Sequence, residues 1–201
     1  MPSTELNSET SEKPFSSRKL ESLDDIPREI ADHRIHAEFG DLIASEKSEI
    51  VREKPDVLEK PDEFAESAKK IGLQNTEGIL GYSTKLEEPA HILKVDVGTE
   101  IATLIHEDLH RFTHPETMRE MTSTESRGRL YEGITEHLTE KASAGLHGFR
   151  PGEVYQDEVR HAEDVIGEIG EQSLRDYFFK HEISDEMQKA IERLSGMEPK
   201  K

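Results

Sequence analysis

Apolar positions recur at helical spacing through most of this chain, and at the spacing of a strand over one short stretch. From Asp25 onward, Ile26, Ile30, Phe39, Leu42 and Ile43 fall on one stripe. Pro27 suits a first helical position, so a helix reaching about Ala44 is expected. Pro61-Asp62-Glu63-Phe64 opens a second, shorter helix with Phe64, Ala68 and Ile71 on one face and Gly72 as its stop. Two strand-like segments follow, Gly78–Thr84 and His91–Val97. In the second, Leu93, Val95 and Val97 alternate with Lys94 and Asp96, the period of a half-buried strand.

Gly98-Thr99 then turns the chain, with Thr99 placed to cap a helix that begins at Glu100. That helix turns Ile101, Leu104, Ile105, Leu109 and Phe112 inward and ends by His114, because Pro115 disfavours helical backbone in the residue before it. After the polar stretch His114–Thr124, a helix is expected from about Ser126 to Ala144, closed by Gly145, and then a loop over His147–Pro151. Val159, Ala162, Ile166 and Ile169 form a further helical face. Leu174, Tyr177 and Phe178 mark a short helix, and Met187, Ile191 and Leu194 mark the last. The fold class expected is α+β and mainly helical, with one small antiparallel sheet just before the Glu100 helix and a helical subdomain after it.

Composition changes this picture at its ends. Only 32% of the 201 residues are hydrophobic and 5% aromatic, too few to bury the whole chain. Residues 1–24, rich in Ser, Glu, Thr and Lys, are therefore expected to be a disordered polar leader. Residues 25–60 read as an N-terminal helix followed by a charged linker over Glu46–Lys60, and residues 61–198 as the main domain. The formal net charge of −18 argues against nucleic acid or anionic membrane as a partner and favours divalent cations. No apolar run is long enough for a membrane span or for a secretory signal. The expected location is the cytoplasm, or outside the cell by a dedicated secretion or injection machine that reads the leader. Cysteine is absent, so a metal would have to be held by histidine and carboxylate.

Such a set is present. His106-Glu107-Asp108-Leu109-His110 is an H-E-x-x-H motif on the Glu100 helix. Residues four apart share a helix face, so His106 and His110 can offer two imidazole nitrogens to one Zn2+ ion. Glu107, roughly 100° round the helix from His106, can reach a metal-bound water without being a ligand. Zinc acidifies a water and the glutamate takes its proton, the division of labour that metal-assisted hydrolysis needs. A catalytic zinc usually takes three protein ligands. Glu132, Glu136 and Glu140, each one turn from the next, are the candidates for the third.

The segment Leu130-Tyr131-Glu132-Gly133-Ile134-Thr135-Glu136, following HEDLH, resembles the ligand helix of the gluzincin clan of zinc metallopeptidases, with Tyr131 where many members carry Asn. The resemblance covers about residues 90–140. It implies a zincin-like domain, zinc on His106, His110 and Glu132, Glu107 as general base, and Glu136 as the acidic residue that orients a ligand histidine. The compact size is similar to that of minigluzincins or of a bacterial effector or toxin peptidase. It further implies an edge strand beside the active helix that pairs with extended peptide, for which His91–Val97 is the candidate. A proton donor or oxyanion stabiliser is also needed, with Tyr155 and His161 as candidates. The function expected is zinc-dependent endopeptidase activity on a protein or peptide substrate. The alternatives are a non-catalytic zinc-binding module and an acidic interaction protein without metal.

Overall fold

The computed structural model describes residues 25–73, 79–83, 88–146 and 156–195. The polar leader, the ends of the first expected strand (Gly78 and Thr84), the loop His147–Pro151 and Tyr155 lie outside those residues. The described part is mainly helical, as expected, but its small three-stranded sheet is mixed rather than antiparallel, because the first strand comes from the segment expected to be a linker. No helix among the described residues is long and apolar enough to cross a membrane.

Helix α1 (Asp25–Phe39) buries Ala31, Ile35 and Phe39, one per turn. The expected stripe is thus rotated: Ile26 is exposed and Ile30 packs only at the core's margin. The helix also stops at Phe39, earlier than expected, and the buried Leu42 and Ile43 follow it in a turn. The segment Glu46–Lys60, expected as a linker, carries helix α2 (Ser45–Glu53) and strand β1 (Val57–Glu59). Its charges mislead because Val51 and Leu58 suffice to bury one side of each element. His36 fastens α2 to α1, its Nε2 2.9 Å from Ser48 Oγ and its Nδ1 donating to the Asp32 carbonyl at 2.9 Å.

Helix α3 (Pro61–Lys70) starts and ends as expected, with Phe64 and Ala68 buried and Ile71 left at the surface. Strands β2 (Gly81–Tyr82) and β3 (His91–Leu93) follow, in the sheet order β1-β3-β2. β1 lies parallel to β3, with Leu58 opposite Ile92. β2 lies antiparallel to β3, with Gly81 opposite Ile92 and Tyr82 opposite His91. Because strand side chains alternate, Ile92 joins the main core while Leu93 and Tyr82 pack with Phe64 and Ala68 in a smaller cluster.

β3 is shorter than the alternation suggested, and Val95 and Val97 are exposed. The reason is a cap. The Asp96 side chain accepts from Thr99 N at 3.1 Å and from Thr99 Oγ1 at 2.7 Å, so helix α4 (Val97–Phe112) begins before Thr99 rather than after it. The inward face of α4 is as read: Ile101, Leu104, Ile105, Leu109 and Phe112 are all buried, each worth about 1.5–3 kcal/mol on full burial.

The polar stretch after His114 forms a short helix, α5 (Pro115–Met121), with His114 at its N-cap. Helix α6 (Glu125–Ser143) then packs along α4, burying Leu130, Ile134 and Leu138. Helices α7 (Gln156–Ile169), α8 (Glu171–Lys180) and α9 (Asp185–Ser195) close the core around α6. Gly133 sets how closely α7 approaches. A Cβ at that position would lie 2.1 Å from the Glu158 carbonyl oxygen, so the two helices touch backbone to backbone beside Glu132.

Candidate metal centre

α4 carries His106, Glu107 and His110, and α6 carries Glu132 and Glu136 one turn apart. The packing of these two helices turns both sets towards each other. His106 Nε2 and His110 Nε2 are 3.1 Å apart, and each lies 3.3 Å from Glu132 Oε2. Three electron-pair donors thus converge at nearly equal spacing. The group can hold a metal ion. His106 Nδ1 donates to Glu136 Oε2 at 3.0 Å, so Nε2 is the ring nitrogen turned towards the other two ligand atoms. Glu140, the third carboxylate on this face of α6, belongs to neither group. Burial and the charges of Glu136 and Glu163 raise its pKa.

The electrostatics follow from this geometry. Burial alone would push the His106 imidazole down. Hydrogen bonds to Glu132 and Glu136, with the charge of Glu107, overcome burial and lift it to about 10. Glu132 shows the reverse: burial opposes its ionisation, but hydrogen bonds to the two imidazoles hold it well below the ordinary carboxylate range. The site therefore keeps Glu132 ionised and demands a cation between the donors, either a proton on His106 or a metal ion.

Glu107 is buried in the wall of the same cavity, which has a volume of about 370 Å³. Leu73, Ile79, Gly81, Tyr82 and Ser83 line one side, and Met118, Thr122 and Tyr131 line the other. Gly81 lets β2 lie directly on α4. A Cβ there would come 2.6 Å from Thr103 Cγ2 and 3.0 Å from Glu107 Cγ. The strand beside the site is therefore β2. The candidate named from sequence, His91–Val97, supplies β3, which is paired on both sides and sits in the middle of the sheet.

The remaining sequence candidates sit elsewhere. His161 is half-buried on α7 and is not among the cavity's lining residues. Tyr155 lies outside the described residues. His114 Nδ1 accepts from Glu116 N at 3.2 Å and so caps α5.

Two groups went unrecognised in the sequence. Arg111, buried one residue past the motif, donates to Asp56 Oδ1 at 2.7 Å, to Asp108 Oδ1 at 3.0 Å and to the Lys54 carbonyl at 3.0 Å. Asp56 Oδ1 also accepts from Ala90 N at 3.0 Å, so this knot ties α4 to the start of β3. Burial and the neighbouring Asp56 carboxylate raise Asp108 well above its ordinary value, against the pull of Arg111. The other group is Tyr131, whose Oη donates to Thr113 Oγ1 at 2.9 Å and whose ring lies 4.9 Å from that of His110. Charge beside HEDLH was visible in the sequence. Its partner, 55 residues upstream, was not.

This chain matches no family model, no curated protein and no solved structure.

Proposed function

We propose that the chain is a zinc-dependent metallopeptidase of the gluzincin type, with zinc on His106 Nε2, His110 Nε2 and Glu132 Oε2. The observation that carries this reading is the triangle of those atoms, with edges of 3.1, 3.3 and 3.3 Å. Ligands about 2.0–2.1 Å from a tetrahedral zinc stand roughly 3.3 Å from one another, so the spacing suits that ion. Two neutral imidazoles and one carboxylate also match the donor preference of zinc and leave a fourth position for water or substrate. Bound there, zinc would acidify a water and polarise a carbonyl.

The protein's own groups do the rest. Glu107 takes a proton from the attacking water on its carboxylate and delivers it to the amide nitrogen as the C–N bond breaks. Glu136 fixes the ring of His106 so that its Nε2 faces the ion. β2 is paired only with β3 among the described strands, and Gly81 brings it against Glu107. Its edge away from β3 suits an extended peptide added as a further strand. The walls around the ligands are largely apolar or uncharged (Leu73, Ile79, Tyr82, Met118).

The test is a peptide-library cleavage screen with zinc-loaded wild type and zinc-loaded Glu107→Gln. Cleavage by the wild type that falls at least about a hundredfold in the variant, with zinc retained, is expected for a general base. Equal cleavage by both proteins would remove Glu107 from the mechanism. Retained zinc with no cleavage by either would make this a non-catalytic metal-binding module.

A further inference from the structure

The two histidines of the centre are held in different ways. His106 is oriented by a carboxylate, through its Nδ1 bond to Glu136. His110 is held between rings. Its plane meets that of His106 nearly at right angles, at 4.8 Å and 78°, and the Tyr131 ring lies 4.9 Å away at 54° on another side. Tyr131 is itself fixed at both ends. Its hydroxyl donates to Thr113 Oγ1 at 2.9 Å, and Thr113 Oγ1 donates to the Leu109 carbonyl at 2.9 Å, so the phenol is anchored to the last turn of the helix that carries His110. Behind it lies the Phe178 ring of α8, at 5.9 Å and 29°. Tyr131 also precedes Glu132 in sequence, so one helical turn supplies both a ligand and the support for another ligand.

From this we infer that Tyr131 is the positioning residue of His110: its ring is the wall that sets the angle at which His110 Nε2 meets the metal. The inference rests on the metal-centre reading above. Its physical content is preorganisation. An imidazole free to turn about its side-chain torsions loses rotamer freedom when it binds a metal, and a wall that has already chosen the rotamer removes that cost. Thr113 contributes by keeping the wall in register with α4.

The test is zinc affinity, measured by competition with a chromophoric chelator on folded full-length protein well below its melting temperature, together with the absorption spectrum of the cobalt-substituted protein. Tyr131→Leu should weaken zinc by about tenfold to a hundredfold and alter the cobalt spectrum, because the plane is lost. Tyr131→Phe keeps the plane and should stay within about threefold of wild type. Thr113→Val removes the acceptor of the Tyr131 hydroxyl together with the bond to the Leu109 carbonyl, so adding Tyr131→Phe to it should weaken binding no further. If Tyr131→Leu does not fold, Tyr131→Met, which refills the volume without a plane, takes its place in the comparison. A merely structural tyrosine would lower the melting temperature of the metal-free protein and leave the affinity of the folded protein unchanged. Wild-type affinity and an unaltered cobalt spectrum in Tyr131→Leu would overturn the inference. Failure of the wild type itself to bind zinc would overturn the metal-centre reading and this inference with it.

Discussion

His106 Nδ1 donates to Glu136 Oε2 across the α4–α6 interface at 3.0 Å. That bond occupies Nδ1 of His106 and makes Nε2 the nitrogen that would bind a metal once its proton has left. Glu136→Leu is therefore expected to weaken zinc by about tenfold to a hundredfold. Glu136→Gln, whose amide oxygen can still accept from Nδ1, should lose much less. Chelator competition on the two variants checks this, and equal losses in both would mean that the hydrogen bond is not what matters.

His106 and Glu132 make the metal-free protein sensitive to pH. The folded pKa of His106, about 10, is above its ordinary 6.5, so its contribution to stability is full below 6.5 and is lost as the pH rises towards 10. Glu132 lies below its ordinary 4.5, so its contribution is present above that pH and is lost as the pH falls beneath it. Melting of metal-free protein should accordingly show this pair's contribution at its greatest between pH 4.5 and 6.5 and declining towards pH 10. His106→Gln should flatten the alkaline decline. Zinc displaces the His106 proton, so its apparent affinity should rise about tenfold per pH unit over the neutral range. An affinity independent of pH would contradict a protonated His106 in the metal-free site.

Gly81 and Gly133 are two points at which backbone lies against the site's helices. Gly133→Ala places a methyl where the Glu158 carbonyl stands, and overpacking of this kind costs about 1–3 kcal/mol. Its melting temperature should fall. Gly81→Ala puts a methyl against Thr103 and Glu107, at the strand proposed to bind substrate. There the expected result is a raised KM with zinc affinity unchanged, read from steady-state kinetics and chelator competition on the same protein.

Arg111 serves two buried carboxylates, so removing it strands both. Arg111→Met should destabilise the protein by about 3–5 kcal/mol in chemical denaturation, the usual scale for breaking a buried pair from one side. Adding Asp56→Asn and Asp108→Asn to the same chain should recover part of that loss, because no unpaired charge then remains. A triple variant less stable than Arg111→Met alone would show that the knot acts through something other than charge compensation.

Much of this arrangement was legible in the sequence because it is local. The four-residue spacing of His106 and His110 and the four-residue spacing of Glu132 and Glu136 each need only one helix; the first helix announces itself through its buried face Leu104–Ile105–Leu109, the second through its stop at Gly145. The choice of Glu132 over Glu140 came from resemblance; in the structure Glu132 is the carboxylate that lies with His106 and His110 in a group that could hold a metal ion. What stayed hidden depends on pairing across long separations. β1 is too short and too charged to show a period, and it becomes a strand only because β3 lies beside it. Val95 and Val97 alternate like strand residues, yet the Asp96 cap takes them out of the sheet. The aromatic support of His110 and the Asp56–Arg111 knot join residues that no spacing rule relates.

Every role proposed for these side chains requires that the HEDLH–Glu132 cluster hold zinc. Metal analysis by mass spectrometry of protein purified without added metal, then dialysed against excess zinc and desalted, asks this directly. Wild type should retain about one zinc per chain, while His110→Ala and Glu132→Ala should each fall well below that under the same desalting. Less than about half an equivalent in the wild type after zinc dialysis, or full retention in both variants, would contradict it.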